Sequence, residues 1–358
     1  MENQKVMLFR QRNRWGMTVL SVLLCLIISP FISMAAMLPQ VLAVVPVLML
    51  MLLGYVGPVS AVICAGLTVG AGSTFFGVHG AFAALVLFVP VLVVSAVLVE
   101  KRLEFWKSAA IAAATMFISM GVVVGVLTVI TGSDVVTAFT QAMRSMFDLM
   151  GTLSDSLLLM FAQMGVYVPE GLDLSAAPVA LTPEIREEMI NAIVYVMDTG
   201  LRLELPAQMT TGALTAGVLG QAMLRKGVLR RGVDVPYPRL HTWRLPKGWG
   251  RILCGTLLLF YVLANMMPSS MNTALYVFST LFDTVFVVQG IAAICYLLHK
   301  NGKGRIFKLV VCVLCFVALQ SIMLGVGIAD QAIDITRRRQ ELDKDEQPYN
   351  PFGQGPED

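Results

Sequence analysis

Charge is scarce in this chain, and histidine is scarcer. Only 14% of its 358 residues are Asp, Glu, Lys or Arg, and His79, His241 and His299 are its only histidines, each near a different loop. There is no H-E-x-x-H, no G-x-S-x-G, no Walker sequence and no adjacent carboxylate pair within the apolar runs. Those gaps exclude a transporter that hydrolyses its own ATP and argue against an intramembrane hydrolase, so a non-enzyme is expected, with no metal and no cofactor. Cysteine is equally sparing. Cys25, Cys64, Cys254, Cys295, Cys312 and Cys315 all lie in or beside apolar stretches, where a thiol packs as a small hydrophobe. Cys312 and Cys315 form a C-x-x-C without a second pair, so packing is favoured over redox or metal chemistry. A long polar run is missing too, and with it room for a soluble domain of ordinary size.

Apolar sequence fills the space instead: 57% of residues are hydrophobic and the mean hydropathy is +0.76. Nine stretches stand out: Gly16 to Ala36, Val41 to Val56, Val59 to Phe76, Ala81 to Val99, Ser108 to Ile130, Pro206 to Leu224, Ile252 to Met267, Asn272 to Leu298 and Leu309 to Gly327. About 20 apolar residues at ~1.5 Å rise cross a ~30 Å hydrocarbon core. A helix alone satisfies its own backbone there without neighbouring strands. The fold class is therefore all-α, a polytopic transmembrane bundle of nine spans. An eight-span version makes Val41 to Val56, one of the two shortest stretches, re-entrant around Pro46. The basic leader with Lys5, Arg10, Arg12 and Arg14 precedes a retained signal-anchor helix, because another apolar run follows where a polar mature chain would begin.

Cytoplasmic loops are enriched in Lys and Arg. That rule puts the N-terminus, the Glu100-Lys101-Arg102 turn, the loop from Arg225 to Arg251 and the Lys300 to Lys308 turn inside. Gly132 to Leu205, with ten acids against three arginines, falls outside. A ninth crossing leaves the acidic, Pro/Gly-rich tail outside, although Arg337, Arg338 and Arg339 favour the cytoplasm. The expected organisation is a five-span bundle over 1–131, an extracytoplasmic helical cap over 132–205, a four-span bundle over 206–328 and a disordered polar tail over 329–358. The expected location is the inner (cytoplasmic) membrane.

The external segment repeats every seven residues. Phe139, Met146, Leu153 and Met160 make one row, and Met143, Met150, Leu157 and Met164 the other. This predicts an amphipathic helix interrupted near Gly151. The seam packs inside the protein, lies on the membrane, or contacts a partner or an apolar ligand. A second helix should start at Leu181-Thr182-Pro183, with Thr182 as N-cap and Pro183 at the first helical position. Small residues recur at four-residue spacing in Gly66/Gly70, Ala109/Ala113, Gly121/Gly125 and Gly212/Ala216/Gly220, which lets helix backbones approach.

Within the spans, Asp283 is the one charged candidate, with Asn265, Gln289 and Gln320 as further deep polar groups. They form the candidate solute site, set against a structural role for a protonated or hydrogen-bonded Asp283. The basic loop offers Arg230, Arg231, Arg239, Trp243 and Arg244 for lipid headgroups or a protein partner. Lipid anchoring explains its interleaved aromatics better than nucleic acid does.

The layout also resembles a family. Met37-Leu38-Pro39 closes the first span, followed by Leu53-Gly54-Tyr55-Val56-Gly57-Pro58, Gly70-Ala71-Gly72, Val89-Pro90 and Glu100-Lys101-Arg102. After the external segment comes Pro238-Arg239-Leu240-His241-Thr242-Trp243-Arg244-Leu245-Pro246. Over residues 10 to 328 this is similar to the YybS-like bacterial membrane proteins, themselves distantly similar to the S components of energy-coupling-factor vitamin transporters. The resemblance implies a small-solute-binding bundle served by a separate energising ATPase and coupling subunits. The alternative is a membrane scaffold or regulator that binds protein through the Met-rich external helix or the basic loop.

Overall fold

A computed structural model describes residues 15–28, 43–151, 153–169, 181–235, 237, 240–245 and 248–333. Every regular element among them is helical: α1 (Trp15–Ile28), α2 (Val44–Tyr55), α3 (Pro58–Glu100), α4 (Phe105–Thr131), α5 (Val135–Met150), α6 (Leu153–Gln163), α7 (Pro183–Leu229), α8 (Trp249–Met266), α9 (Pro268–Lys300), α10 (Arg305–Ala318) and α11 (Gln320–Ile333), with a 3₁₀ turn at Leu240–Thr242. Four segments are long and apolar enough to cross a bilayer: Gly77–Glu100, Phe105–Thr131, Trp249–Met266 and Met271–Lys300. Trp15–Ile27, Val44–Tyr55 and Pro58–Ala71 are apolar but shorter. The third and fourth apolar stretches share one helical run, in which Gly77 takes φ +60°, a left-handed value that interrupts a right-handed helix.

Two expected spans look different in the structure. The sixth is half of α7, a 47-residue helix that continues unbroken through Pro206. The ninth is split at Leu319 into α10 and α11, 14 residues each, or about 21 Å apiece at ~1.5 Å per residue. The expected polar tail begins inside α11, and its remainder, 334–358, lies outside the described residues, as does the basic leader.

The chain divides into two compact units, Met1–Pro236 and Tyr237–Asp358. In the first, α7 is the central rod, packed on α2 and α4 by its lower half and on α5 and α6 by its upper half. Glycine makes this possible. A methyl on Gly217 would come within 2.5 Å of the Ala109 carbonyl oxygen, and one on Gly220 within 2.6 Å of Leu50 Cδ1. Gly54 and Gly227 meet where α2 crosses α7. Helix α1 lies on α3 through small polar contacts, Thr18 Oγ1 donating to Ser60 Oγ (3.4 Å) and the Cys64 thiol lying 3.1 Å from that of Cys25. In the second unit, α9 and α11 touch backbone to backbone at Gly290 and Gly327, where either added methyl would overlap a carbonyl oxygen of the other helix.

Candidate functional site

The successive contacts of α7 define the cap. Arg225 meets Leu103 and Ser108, Gly217 meets Ala109 and Ala113, Arg202 meets Asp134 and Thr137, and Arg144 meets Glu187 and Asn191. Residue numbers fall along α7 while they rise through α4 and α5, so α5 continues upward where α4 stops. The rod is about 70 Å long at ~1.5 Å per residue, more than twice the ~30 Å core. Its upper part carries Glu184, Arg186, Glu187, Glu188, Asp198, Arg202 and Glu204, which hydrocarbon would reject. That part and its partners α5 and α6 form the polar end of the rod.

Local chemistry builds the cap firmly. Asp134 N-caps α5 by accepting the Thr137 N–H at 3.0 Å, and Thr182 caps α7 by accepting the Ile185 N–H at 3.3 Å. The Asp134 carboxyl is held down at about 2, first by the Thr137 N–H, then by the Thr137 hydroxyl and Arg202. Gly151, at φ +55°, breaks the chain between α5 and α6. Arg186 fills that corner: its Nη2 donates to the carbonyls of Phe147 (3.0 Å) and Gly151 (2.6 Å) and to Ser154 Oγ (2.8 Å), while its Nε faces Asp155 at 3.3 Å. Arg202 bridges Asp198 and Asp134, Arg144 pairs with Glu187, and the Tyr167 hydroxyl donates to Glu188. Beneath them Phe147, Leu158, Ala162, Met189, Ile190 and Ile193 form a closed apolar core.

The two heptad rows contribute to that core only at its edge. Phe147, Leu158 and Ala162 are its buried contributors from α5 and α6, with Met143 and Leu157 packed at its edge. Met150 is half-buried, and Met146, Met160 and Met164 point outward, joined by Leu149 at 87% exposure and Leu153 at 73%. These exposed apolar positions of α5 and α6, on both sides of Gly151, are the outward stripe of the cap.

Below the cap, the interior holds polar groups that the sequence placed elsewhere. Arg225, expected in the basic loop, is fully buried, because α7 runs past it to Leu229. It donates to the Leu103 carbonyl (2.7 Å) and Ser108 Oγ (2.6 Å) beside the Phe105 ring. Nearby, Arg230 lies over the Tyr55 ring at 5.3 Å and Arg231 donates to the Leu53 carbonyl at 3.0 Å. In the second unit Trp243 is buried and Arg244 half-buried, while Arg239 lies outside the described residues.

The four solute-site candidates are all in the second unit, yet among the described residues none is hydrogen-bonded to another. Gln289 is buried on α9, accepting the Leu245 N–H at 3.2 Å and donating to Asp330 Oδ2 at 2.8 Å. Asp330, fully buried on α11, was hidden in the sequence by its position at the start of the charged tail. Asn265 is exposed and donates to Tyr261 of its own helix, and Gln320 is exposed at the start of α11. Asp283 is half-buried on α9.

The family of predicted membrane proteins DUF2232 matches residues 18–331, a span that takes in both units and the cap. The chain belongs to this family. Among curated proteins and among solved structures, none matches. Membership of DUF2232 supports the membrane reading at that level of detail. Two further features lie within the matched span. His241 and His299 are brought together, their ring centroids 4.1 Å apart and tilted by 32°, with Lys308 Nζ 3.3 Å from His299 Nδ1. Cys312 hydrogen-bonds Cys295, and among the described residues no cluster suits a metal ion.

Proposed function

We propose that this DUF2232 chain is a non-enzymatic docking protein, a scaffold or regulator seated in the cytoplasmic membrane that presents its helical cap to a protein partner. The outward Met/Leu stripe carries the reading: large apolar side chains are exposed on a cap whose three arginines are each engaged in an ion pair. Large apolar side chains grouped on the outside of a well-packed body are the kind of surface that serves interaction. The distribution of Lys and Arg supports a cytoplasmic N-terminus and an extracytoplasmic cap. The non-enzymatic part rests on the missing catalytic residue patterns.

A photoreactive residue placed at Leu149 or Leu153, with Tyr195 on exposed α7 as control, tests it in native membranes. A discrete protein adduct from the stripe and none from Tyr195 is expected. No adduct, or the same ladder from all three positions, would overturn docking.

The second reading is a solute-binding component of a transporter, a vitamin-type S component served by separate ATPase and coupling subunits. One observation favours it: among the described residues Asp283 has no hydrogen-bond or ion-pair partner, although it is half-buried in an apolar helix. A small molecule retained in native mass spectra of the purified protein and lost in Asp283→Asn would transfer the function to solute binding.

A further inference from the structure

We infer that the outward stripe of the cap receives a cationic amphipathic helix from a partner protein. The inference rests on the docking reading and supplies the partner's chemistry. Apolar contact is the first element. Met146 and Leu149 on α5, and Leu153, Met160 and Met164 on α6, are exposed on either side of the Gly151 break. Two helical faces of this kind fit the apolar side of a third helix, read at i, i+3, i+4 and i+7 spacing. Methionine at three of the five positions gives flexible, polarizable side chains that repack around an incoming surface.

Charge is the second element, and it selects the sign of the partner. Between Gly132 and Leu205 the chain has ten acids and three arginines, a surplus of seven negative charges. The cap's arginines do not offset this at the outer face. Arg144 is taken by Glu187, Arg186 by Asp155 and Arg202 by Asp134 at the seams between α7 and its neighbours, and Arg202 also by Asp198 within α7. Asp148, adjacent to Leu149, and Glu184 and Glu204 are exposed and make no ion pair among the described residues. A second copy of the cap would set surplus acid against surplus acid. A helix with Lys or Arg flanking its apolar face gains attraction there, and its approach is accelerated by the same field.

The bilayer is the remaining apolar surface within reach. The α7 register places α5 beyond the end of α4, on the charged part of the rod, and burying those charges in hydrocarbon would be costly, which argues for water rather than lipid at the stripe. That leaves the protein partner.

The test uses the full chain in nanodiscs of zwitterionic phospholipid, which give a cationic peptide no anionic lipid to bind. Two fluorescent model helices of about 18 residues, five turns, share one leucine face and differ only in a lysine or glutamate polar face. The lysine helix should bind protein-loaded discs at least about tenfold more tightly than the glutamate helix or empty discs, and the preference should shrink as salt rises. Leu149→Lys and Met160→Lys should each weaken it by about tenfold or more, whereas Tyr195→Lys should not. Leu149→Gln repeats the test without adding charge, and circular dichroism checks that each variant keeps its helices.

Equal binding of both helices that Leu149→Gln abolishes would overturn the cationic partner while leaving a docking face. Binding that Leu149→Gln leaves unchanged would overturn the stripe as its site. Binding of neither helix above empty discs overturns the inference, and the Leu149 cross-link then reports separately on docking. A dimer in native mass spectra that Leu149→Lys dissociates would give the stripe to a second copy instead.

Discussion

A guanidinium with no exposed surface must find its acceptors inside the protein, and Arg225 uses a backbone carbonyl and a serine hydroxyl to do so. Arg225→Met should cost about 3 kcal/mol, since each hydrogen bond to a charged group contributes roughly 1.5–3 kcal/mol. Arg225→Lys should recover only part of that, because a single ammonium cannot reproduce the planar fork. Thermal unfolding in detergent checks both, and an unchanged Tm in Arg225→Met would remove its structural role. Asp134 makes a second residue-scale prediction. Its carboxyl sits below its ordinary 3.8, at about 2, so its contribution to stability is complete above about pH 4 and is lost as pH falls through 2. Exchange protection of the Thr137 amide should therefore fall between those pH values in the wild type. Asp134→Asn should lack that acid step, and Asp134→Ala should cost about 1 kcal/mol as a lost N-cap. Gln289 was legible as a deep polar group because glutamine is rare in such a helix. Its partner Asp330 was not, since an acid next to a charged tail looks like part of that tail. Arg225 was misplaced for the converse reason: apolarity ends at Leu224, but the helix and its covering neighbours do not.

Among the elements, four rows of small residues look equivalent in sequence and prove unequal in space. Ala109 and Ala113 receive Gly217, whereas an added methyl on Gly66, Gly70, Gly121 or Gly125 would meet nothing within 4 Å. The strongest approach, Gly290 against Gly327, lay outside those rows because its two glycines sit on different helices. Gly290→Ala and Gly327→Ala should each destabilise by about 1–3 kcal/mol or more through overpacking. Gly121→Ala should be neutral or slightly stabilising, since alanine is the better helix former and has open space. A Gly327→Ala protein as stable as wild type would refute the backbone contact of α9 and α11. The cap's heptad is split between core edge and surface by a related mechanism. The helix and its break at Gly151 were readable, but the left-handed residue resets the phase. Phe147 and Leu158 share the core eleven residues apart, and the row Met146, Leu153, Met160 is turned outward. Periodicity predicts a face only as far as the helix stays continuous.

At the scale of the molecule, hydropathy reports what lipid would accept and is silent on what protein can cover. The lower half of α7 carries Gly, Thr and Gln, and it is not among the four segments apolar enough to cross by composition. It is nevertheless heavily buried, from Ala207 through Val228, because α2 and α4 pack around it. The nine apolar runs were therefore a sound guide to helices and a poorer guide to which of them face lipid. The length of the rod gives the decisive consequence. If a ~30 Å slab encloses α4 and the lower half of α7, about 35 Å of α7 remains beyond it at ~1.5 Å per residue. Single cysteines introduced at Asp148 and Ser156, both exposed on the cap, should react quickly with a membrane-impermeant maleimide in a background lacking the native cysteines. A cysteine at Val122, exposed on α4 within the span, should react slowly, because there the covering medium is lipid. Labelling from one side of sealed vesicles also assigns the cap's side, with extracytoplasmic labelling expected from the arginine and lysine distribution. Cap positions as unreactive as Val122 in opened as well as sealed vesicles would mean that α5 and α6 lie in lipid, and the stripe would then be a membrane-facing surface rather than a docking one.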